Sequence, residues 1–261
     1  MHGAAGTAVK RTIDIMWSRY PEPLCLEELA GAALFSKFYY SRVFRNLTGT
    51  SPGRFLSAVR LFMAKRHLLD TRSSVTEISY DVGYNSLGTF TSRFTRSVGI
   101  SPARYRFLAD YGMPPITPFG QQGCPAGGQA TLSGLLTVPT GYGPVRIYVG
   151  AFNSPIVEGQ PQSCDVLNGS GRFRLSVPDG DWFIRAAAVP ADAMKHTPLP
   201  GSRIRTPPLI GMSRPMQVSG GRGHTTLDLQ LRRFGAFDLP ILLALPELDG
   251  GGRAALMQAA T

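Results

Sequence analysis

Shifted by fifty residues, the first half of this 261-residue chain falls into register with itself. Ser36 meets Ser86, Tyr40 meets Phe90 and Phe44 meets Phe94. Gly49-Thr50-Ser51-Pro52 meets Gly99-Ile100-Ser101-Pro102, and Arg54-Phe55 meets Arg104-Tyr105. Each copy spells the same local instruction. A helix stops at Gly, the residue that best tolerates a left-handed C-cap. Ser then caps a new helix whose first position is Pro, where the absent N–H costs nothing. A period of this length, present twice, predicts a duplicated helical module and not a solenoid.

Upstream of each long helix a shorter one is predicted, over 26–33 and 75–82. Ala30 lies six positions before Ser36 and Ser79 seven before Ser86. Short helix, tight turn and second helix make a helix-turn-helix, in which a small residue lets the two helices approach. Gly83 occupies the second turn where the first copy has Leu34, so a left-handed turn is expected of the second copy and left open in the first. In the first long helix Tyr40, Val43, Phe44 and Leu47 follow the spacing of a buried stripe, while Phe38, Ser41, Arg42 and Arg45 form another. In the second, Phe90, Phe94 and Val98 face the core and Gly88, Thr91, Ser92 and Thr95 face away. Neither long helix holds an acidic residue, whereas ordinary solvated faces mix signs. Residues 52–70 read as a connector helix of roughly 28 Å. Its Lys65 and Arg66 are expected to be solvated. A connector of that kind suits two helices entering major grooves about one helical turn apart.

On Leu29-Ala30, Ser36, Arg42, Phe44, Gly49 and Ser51-Pro52, the first unit resembles the AraC/XylS-type DNA-binding domain. The second unit resembles it on Ile78, Val82-Gly83-Tyr84, Ser86, Phe90, Phe94, Gly99, Ser101-Pro102 and Tyr105-Arg106. The resemblance covers residues 8–108. It implies a transcription factor with double-stranded DNA as partner, inserting both long helices into successive major grooves. Carried over by position, base contacts fall on Phe38, Ser41 and Arg42, then on Leu87, Gly88, Thr91 and Ser92. Lys37, Arg45, Thr95 and Arg96 are expected at the DNA backbone, where contacts position a protein without specifying sequence. At Ser92 the family commonly carries Arg, and here Arg93 follows one place later.

Charge agrees with that partner. The chain carries 27 Lys and Arg against 17 Asp and Glu, a formal +10. The first 112 residues hold 15 of the basic and 8 of the acidic residues, so most of the excess sits in the helical half. Such a balance favours a polyanion without choosing between nucleic acid and a membrane surface. No run approaches the roughly eighteen apolar residues of a spanning helix. Met1 to Trp17 lacks the apolar core of an export signal. The expected setting is therefore cytoplasmic, with no membrane partner.

Four prolines and four glycines between Met113 and Gln129 mark a linker. Beyond it apolar residues alternate. Val145, Ile147 and Val149 alternate with Arg146 and Tyr148, and Phe173, Leu175 and Val177 with Arg174 and Ser176. Trp182, Ile184, Ala186 and Ala188 alternate with Phe183 and Arg185, and Leu227, Leu229 and Leu231 with Asp228 and Gln230. Turn residues intervene at Asn168-Gly169, Pro178-Asp179-Gly180 and Ser219-Gly220-Gly221. The fold class expected is α + β in separate domains. An all-α double helix-turn-helix domain occupies 1–112 and a linker 113–129. An antiparallel β-sandwich follows over 130–233, with an apolar docking segment and tail over 234–261. The run from Gly171 to Trp182 resembles the hairpin of transthyretin-like and carboxypeptidase-regulatory-like sandwiches. The apolar run from Phe237 to Pro246 is expected to dock on the sandwich, on the helical half or on a second subunit.

No catalytic set stands out. There is no G-x-S-x-G elbow, H-E-x-x-H pair or phosphate-cradling loop. Asp179 and Asp181 read as turn chemistry. His67, His196 and His224 lack metal-like spacing, so neither metal nor cofactor is expected. Cys25, Cys124 and Cys164 are too few for a disulfide scaffold; Cys124 and Cys164 are left open to pairing or oxidation. The chain is thus expected to be a regulator and not an enzyme. Its β domain would sense a small-molecule effector or mediate assembly such as a homodimer, and an activator would also meet RNA polymerase. Two alternatives stand beside this reading: an architectural DNA binder with little base preference, and a DNA-targeted β domain with enzymatic activity.

Overall fold

The computed structural model of the chain describes residues 3–111, 130–154, 157–159, 161–190, 209–220 and 223–243. The expected linker 113–129, Cys124, His196 and the tail beyond residue 243 lie outside them. Two compact units are present, one helical and one of strands.

The helical unit contains α1 (Ala4–Ser18), α2 (Leu26–Ala32), α3 (Lys37–Thr48), α4 (Pro52–Asp70), α5 (Val75–Asp81), α6 (Leu87–Val98) and α7 (Pro102–Tyr111). The repeat in the sequence becomes a repeat in space. α3 and α6 begin and end fifty residues apart, each capped by a serine side chain and stopped by a left-handed glycine, Gly49 and Gly99. The aromatic packing repeats too. Tyr40 meets Phe44 at 5.6 Å between ring centroids and Phe90 meets Phe94 at 5.6 Å. Phe44 packs edge-on against Phe55 of α4, and Phe94 likewise against Tyr105 of α7. Such pairs contribute about 0.5–1.5 kcal/mol beyond the burial of their area.

α1 carries Val9, Ile13 and Met16 into the first core, beside Leu29, Tyr40, Phe44 and Phe55. Its Thr12 Oγ1 accepts a hydrogen bond from the buried Tyr40 hydroxyl at 2.9 Å. Burial pushes the Tyr40 phenol up to about 12, so the group remains a neutral donor.

The connector α4 is buried along most of its length, which is why its apolar residues do not confine themselves to one stripe. Arg60 on it donates to the carbonyls of Tyr20 and Glu22, and Arg106 of α7 donates to those of Leu68 and Ser73. Lys65 departs from the expectation of a solvated side chain. It is 7% exposed, lies 5.5 Å from the centre of the Tyr105 ring, and donates to the Leu242 carbonyl at 2.8 Å. Its acceptor comes from a strap, Gly235–Leu242, that belongs to the helical unit despite following the strands in sequence. Phe237 and Leu239 of the strap pack on the α1–α4 core, and Asp238 closes its turn by accepting from Gly235 N. Of the three docking places left open for this apolar segment, the described part takes the helical one.

The turns of the two helix-turn-helix units share one backbone geometry. Gly83 has φ +86°, and Leu34 at the equivalent place has φ +58°. The left-handed turn left open in the first copy is therefore adopted, with a leucine in a conformation that costs an L-residue roughly 1–2 kcal/mol. Leu34→Gly should relieve that strain. After glycine's larger loss of freedom on folding, a net gain of about 0.5–1 kcal/mol remains, readable as a higher denaturant midpoint. An unchanged or lower midpoint would mean that Leu34 makes compensating contacts.

The strand unit holds β1 (Ala130–Thr137), β2 (Val145–Phe152), β3 (Ser163–Asn168), β4 (Gly171–Val177), β5 (Gly180–Pro190), β6 (Leu209–Met212), β7 (Met216–Val218), β8 (His224–Thr226), β9 (Leu229–Gln230) and β10 (Arg232–Arg233). One sheet runs β4-β1-β8 with β9 also beside β1; the other runs β10-β6-β5-β2-β3 with β7 beside β5. Most pairs are antiparallel. β1 instead runs parallel to β8 and β9, which no hairpin joins to it.

Leu132, Leu175, Ile147, Ile184 and Leu209, from both sheets, share one buried apolar cluster. The alternation of the sequence holds for β4 and most of β5 and fails in β2, where Tyr148 is buried as well as Ile147 and Val149. Pro178-Asp179-Gly180 does not close a hairpin. β4 pairs with β1 and β5 with β2, so this turn carries the chain from one sheet to the other, correcting the hairpin resemblance of Gly171 to Trp182. The turn is fastened by Trp182 Nε1 donating to the Pro178 carbonyl and by Asp179 accepting from Gly220 N.

β1 and the β8–β9 segment approach very closely at Gly134. The Leu227 N–H donates to the Ser133 carbonyl, and the Asp228 carboxylate replaces a main-chain acceptor for Leu135 N at 2.9 Å.

Candidate nucleic-acid interface

α3 projects its polar stripe outward because Tyr40 and Phe44 fix the opposite face in the core, both fully buried. Phe38 is 89% exposed and so lies on the surface. Arg42 and Arg45 are exposed and Ser41 is half-buried beside them. The Arg42 guanidinium lies 5.4 Å from the centre of the Tyr39 ring, an arrangement that orients its donor fork. Sequence reasoning passed over Tyr39, although Tyr and Arg three apart on a helix share a face. It also passed over Glu27. That carboxylate on α2 pairs with Lys37 Nζ at 2.7 Å, holding the lysine charged and its own pKa below the ordinary range, chiefly through this hydrogen bond. A phosphate reaching Lys37 must compete with Glu27.

On α6, Phe90 and Phe94 are fully buried and orient the other face outward. Leu87, Gly88, Thr91, Ser92, Thr95 and Arg96 line one shallow, open hollow of about 740 Å³. The structure thus gathers in one place all four residues expected at bases and both expected at the backbone on this helix. Arg93 turns toward α4, its Nη1 donating to Ser57 Oγ. The exposed Leu34, on the turn before α3, is a further apolar side chain on the surface.

Outside this surface, Cys25 and Cys164 are free thiols, and burial pushes Cys164 up. Among the described residues no cluster of His, Cys, Asp and Glu is placed to hold a metal ion, and no helix is long and apolar enough to cross a membrane.

Comparison with known proteins matches the same residues. A family described as a helix-turn-helix domain matches residues 29–107. The regulatory protein SoxS of Salmonella typhimurium is 33% identical over 98 residues, spanning 38% of this chain and 92% of SoxS. YobQ, an HTH-type transcriptional regulator of Bacillus subtilis, is 36% identical over 95 residues, 36% of this chain and 39% of YobQ. The DNA-binding domain of AdpA, solved with a target DNA, shares 30% identity at a TM-score of 0.38, covering 41% of this chain and 97% of that one. Several of the curated relatives are much longer than the shared part, and the chain spans 39%, 30% and 34% of three of them.

Proposed function

Because the chain belongs to the AraC family of helix-turn-helix transcriptional regulators, we propose that it is a sequence-specific DNA-binding regulator that seats α3 and α6 in successive major grooves of one duplex. The observation that carries this reading is the duplication itself. Two helices of identical length and capping, each with an exposed face free of acidic residues, stand on either side of a buried connector. Arg42, Phe38 and Ser41 on the first helix, and Leu87, Gly88, Thr91 and Ser92 on the second, are assigned to base edges. Lys37, Arg45, Thr95 and Arg96 are assigned to the backbone. The shared apolar cluster of the two sheets supports reading 130–233 as a β-sandwich, which would sense a small-molecule effector or mediate assembly.

Competition binding tests the reading. A regulator prefers its site over random duplex by about 10³-fold or more at physiological salt, and a flat preference would make the protein an architectural binder. Within a preferred site, Arg42→Ala should weaken binding by about 1–3 kcal/mol and relax one base position. An unchanged site preference would remove Arg42 from the interface.

A further inference from the structure

We propose that the two half-sites of this protein's operator are read by different chemistries, the one under α6 being selected through thymine methyl groups. This rests on the two-groove reading above and goes beyond it. α3 presents a guanidinium 5.4 Å from the centre of the Tyr39 ring, and a bidentate Arg fork on guanine O6 and N7 is the commonest specific contact in a major groove. Fifty residues on, the position of Arg42 is filled by Ser92, whose single hydroxyl bonds to any base and discriminates little. The Arg93 guanidinium is turned to Ser57 on α4, and Arg96, which lines the same hollow as Ser92, is assigned above to the DNA backbone.

What α6 offers to a groove instead is carbon. Leu87 is 37% exposed and lines the same hollow as Thr91 and Thr95, residue types that carry a methyl group. Gly88 completes it. A side chain there would meet nothing closer than Ser86 Oγ at 3.8 Å, so packing within the protein does not require glycine. The opening it leaves, in a hollow that Leu87 and Thr91 also line, fits a small apolar group arriving from a partner. The C5 methyl of thymine is the apolar group that a major groove presents. The half-site under α6 therefore requires thymines, and the one under α3 requires guanine.

Selection from random duplexes with the full-length protein supplies the operator. Arg42→Ala then identifies the half-site under α3 as the one whose preference relaxes. Replacing thymine by deoxyuridine in the other half-site removes only methyls and should weaken binding roughly fourfold for each buried methyl. Leu87→Ala, at a partly exposed position, should abolish most of that sensitivity. Replacing guanine by 7-deazaguanine should weaken binding in the α3 half-site and leave the α6 half-site within twofold. Deoxyuridine in the α6 half-site that binds within twofold of thymine overturns the proposal alone. A selection that returns no shared sequence overturns the regulator reading and this proposal with it.

Discussion

Gly134→Ala is expected to lower the unfolding temperature of the β unit by more than about 15 °C, a loss of at least about 4 kcal/mol. A Cβ at residue 134 would lie 1.6 Å from the Leu227 carbonyl oxygen and 2.6 Å from its carbon. Neither neighbour is a flexible side-chain end. The main chain of residue 227 is held by its own N–H on the Ser133 carbonyl, and Asp228 beside it is fixed on Leu135 N. Displacing that segment breaks the join between β1 and the β8–β9 strands and loosens Leu229 and Leu231, which sit in the buried cluster. Fluorescence of Trp182, which packs in that cluster, would follow the transition in a Trp17→Phe background. A midpoint within a few degrees of the parent would show that β1 and the crossing segment separate more easily than their hydrogen bonds imply.

Gly83→Ala comes next, at about 2–5 kcal/mol on the helical unit. Alanine at φ +86° carries a left-handed penalty of roughly 1–2 kcal/mol, and overpacking adds roughly 1–3. The added methyl would meet the Pro21 carbonyl oxygen at 2.5 Å and Arg60 Cζ at 3.1 Å. Arg60 has little room to yield, since its guanidinium holds the carbonyls of Tyr20 and Glu22 on both sides of that proline. Chemical denaturation of the full chain measures the loss. The same position in the first repeat responds with the opposite sign, because Leu34 is strained where glycine would not be. A loss below about 1 kcal/mol for Gly83→Ala would show that the α1–α2 loop moves aside.

That pair of turns marks where the sequence was legible and where it was not. Caps, helix lengths and buried stripes are local, so α3, α6 and the connector could be placed from spacing, and the exposed residues of both long helices followed. Leu34 could not, because its conformation is imposed by packing between α2 and α3 against a weak local preference. Lys65 and Glu27 show the same limit in electrostatic form: their partners lie 177 and 10 residues away, and no periodicity encodes a pairing. In the strand unit, alternation marked the elements correctly, but turn residues do not say whether a chain returns along its own sheet or crosses to another. Pro178-Asp179-Gly180 does the latter. Tyr148 broke the pattern because a central strand can be covered on both faces.

The strap from Gly235 to Leu242 sets an order on biosynthesis. A nascent chain delivers the seven described helices first, yet Phe237, Leu239 and the Leu242 carbonyl complete the surroundings of α1, α4 and Lys65 only after the described strands have emerged. Until then the ribosome exposes an unfinished apolar surface, the kind that chaperones bind. A message cut short within the strands would yield helices missing their final piece.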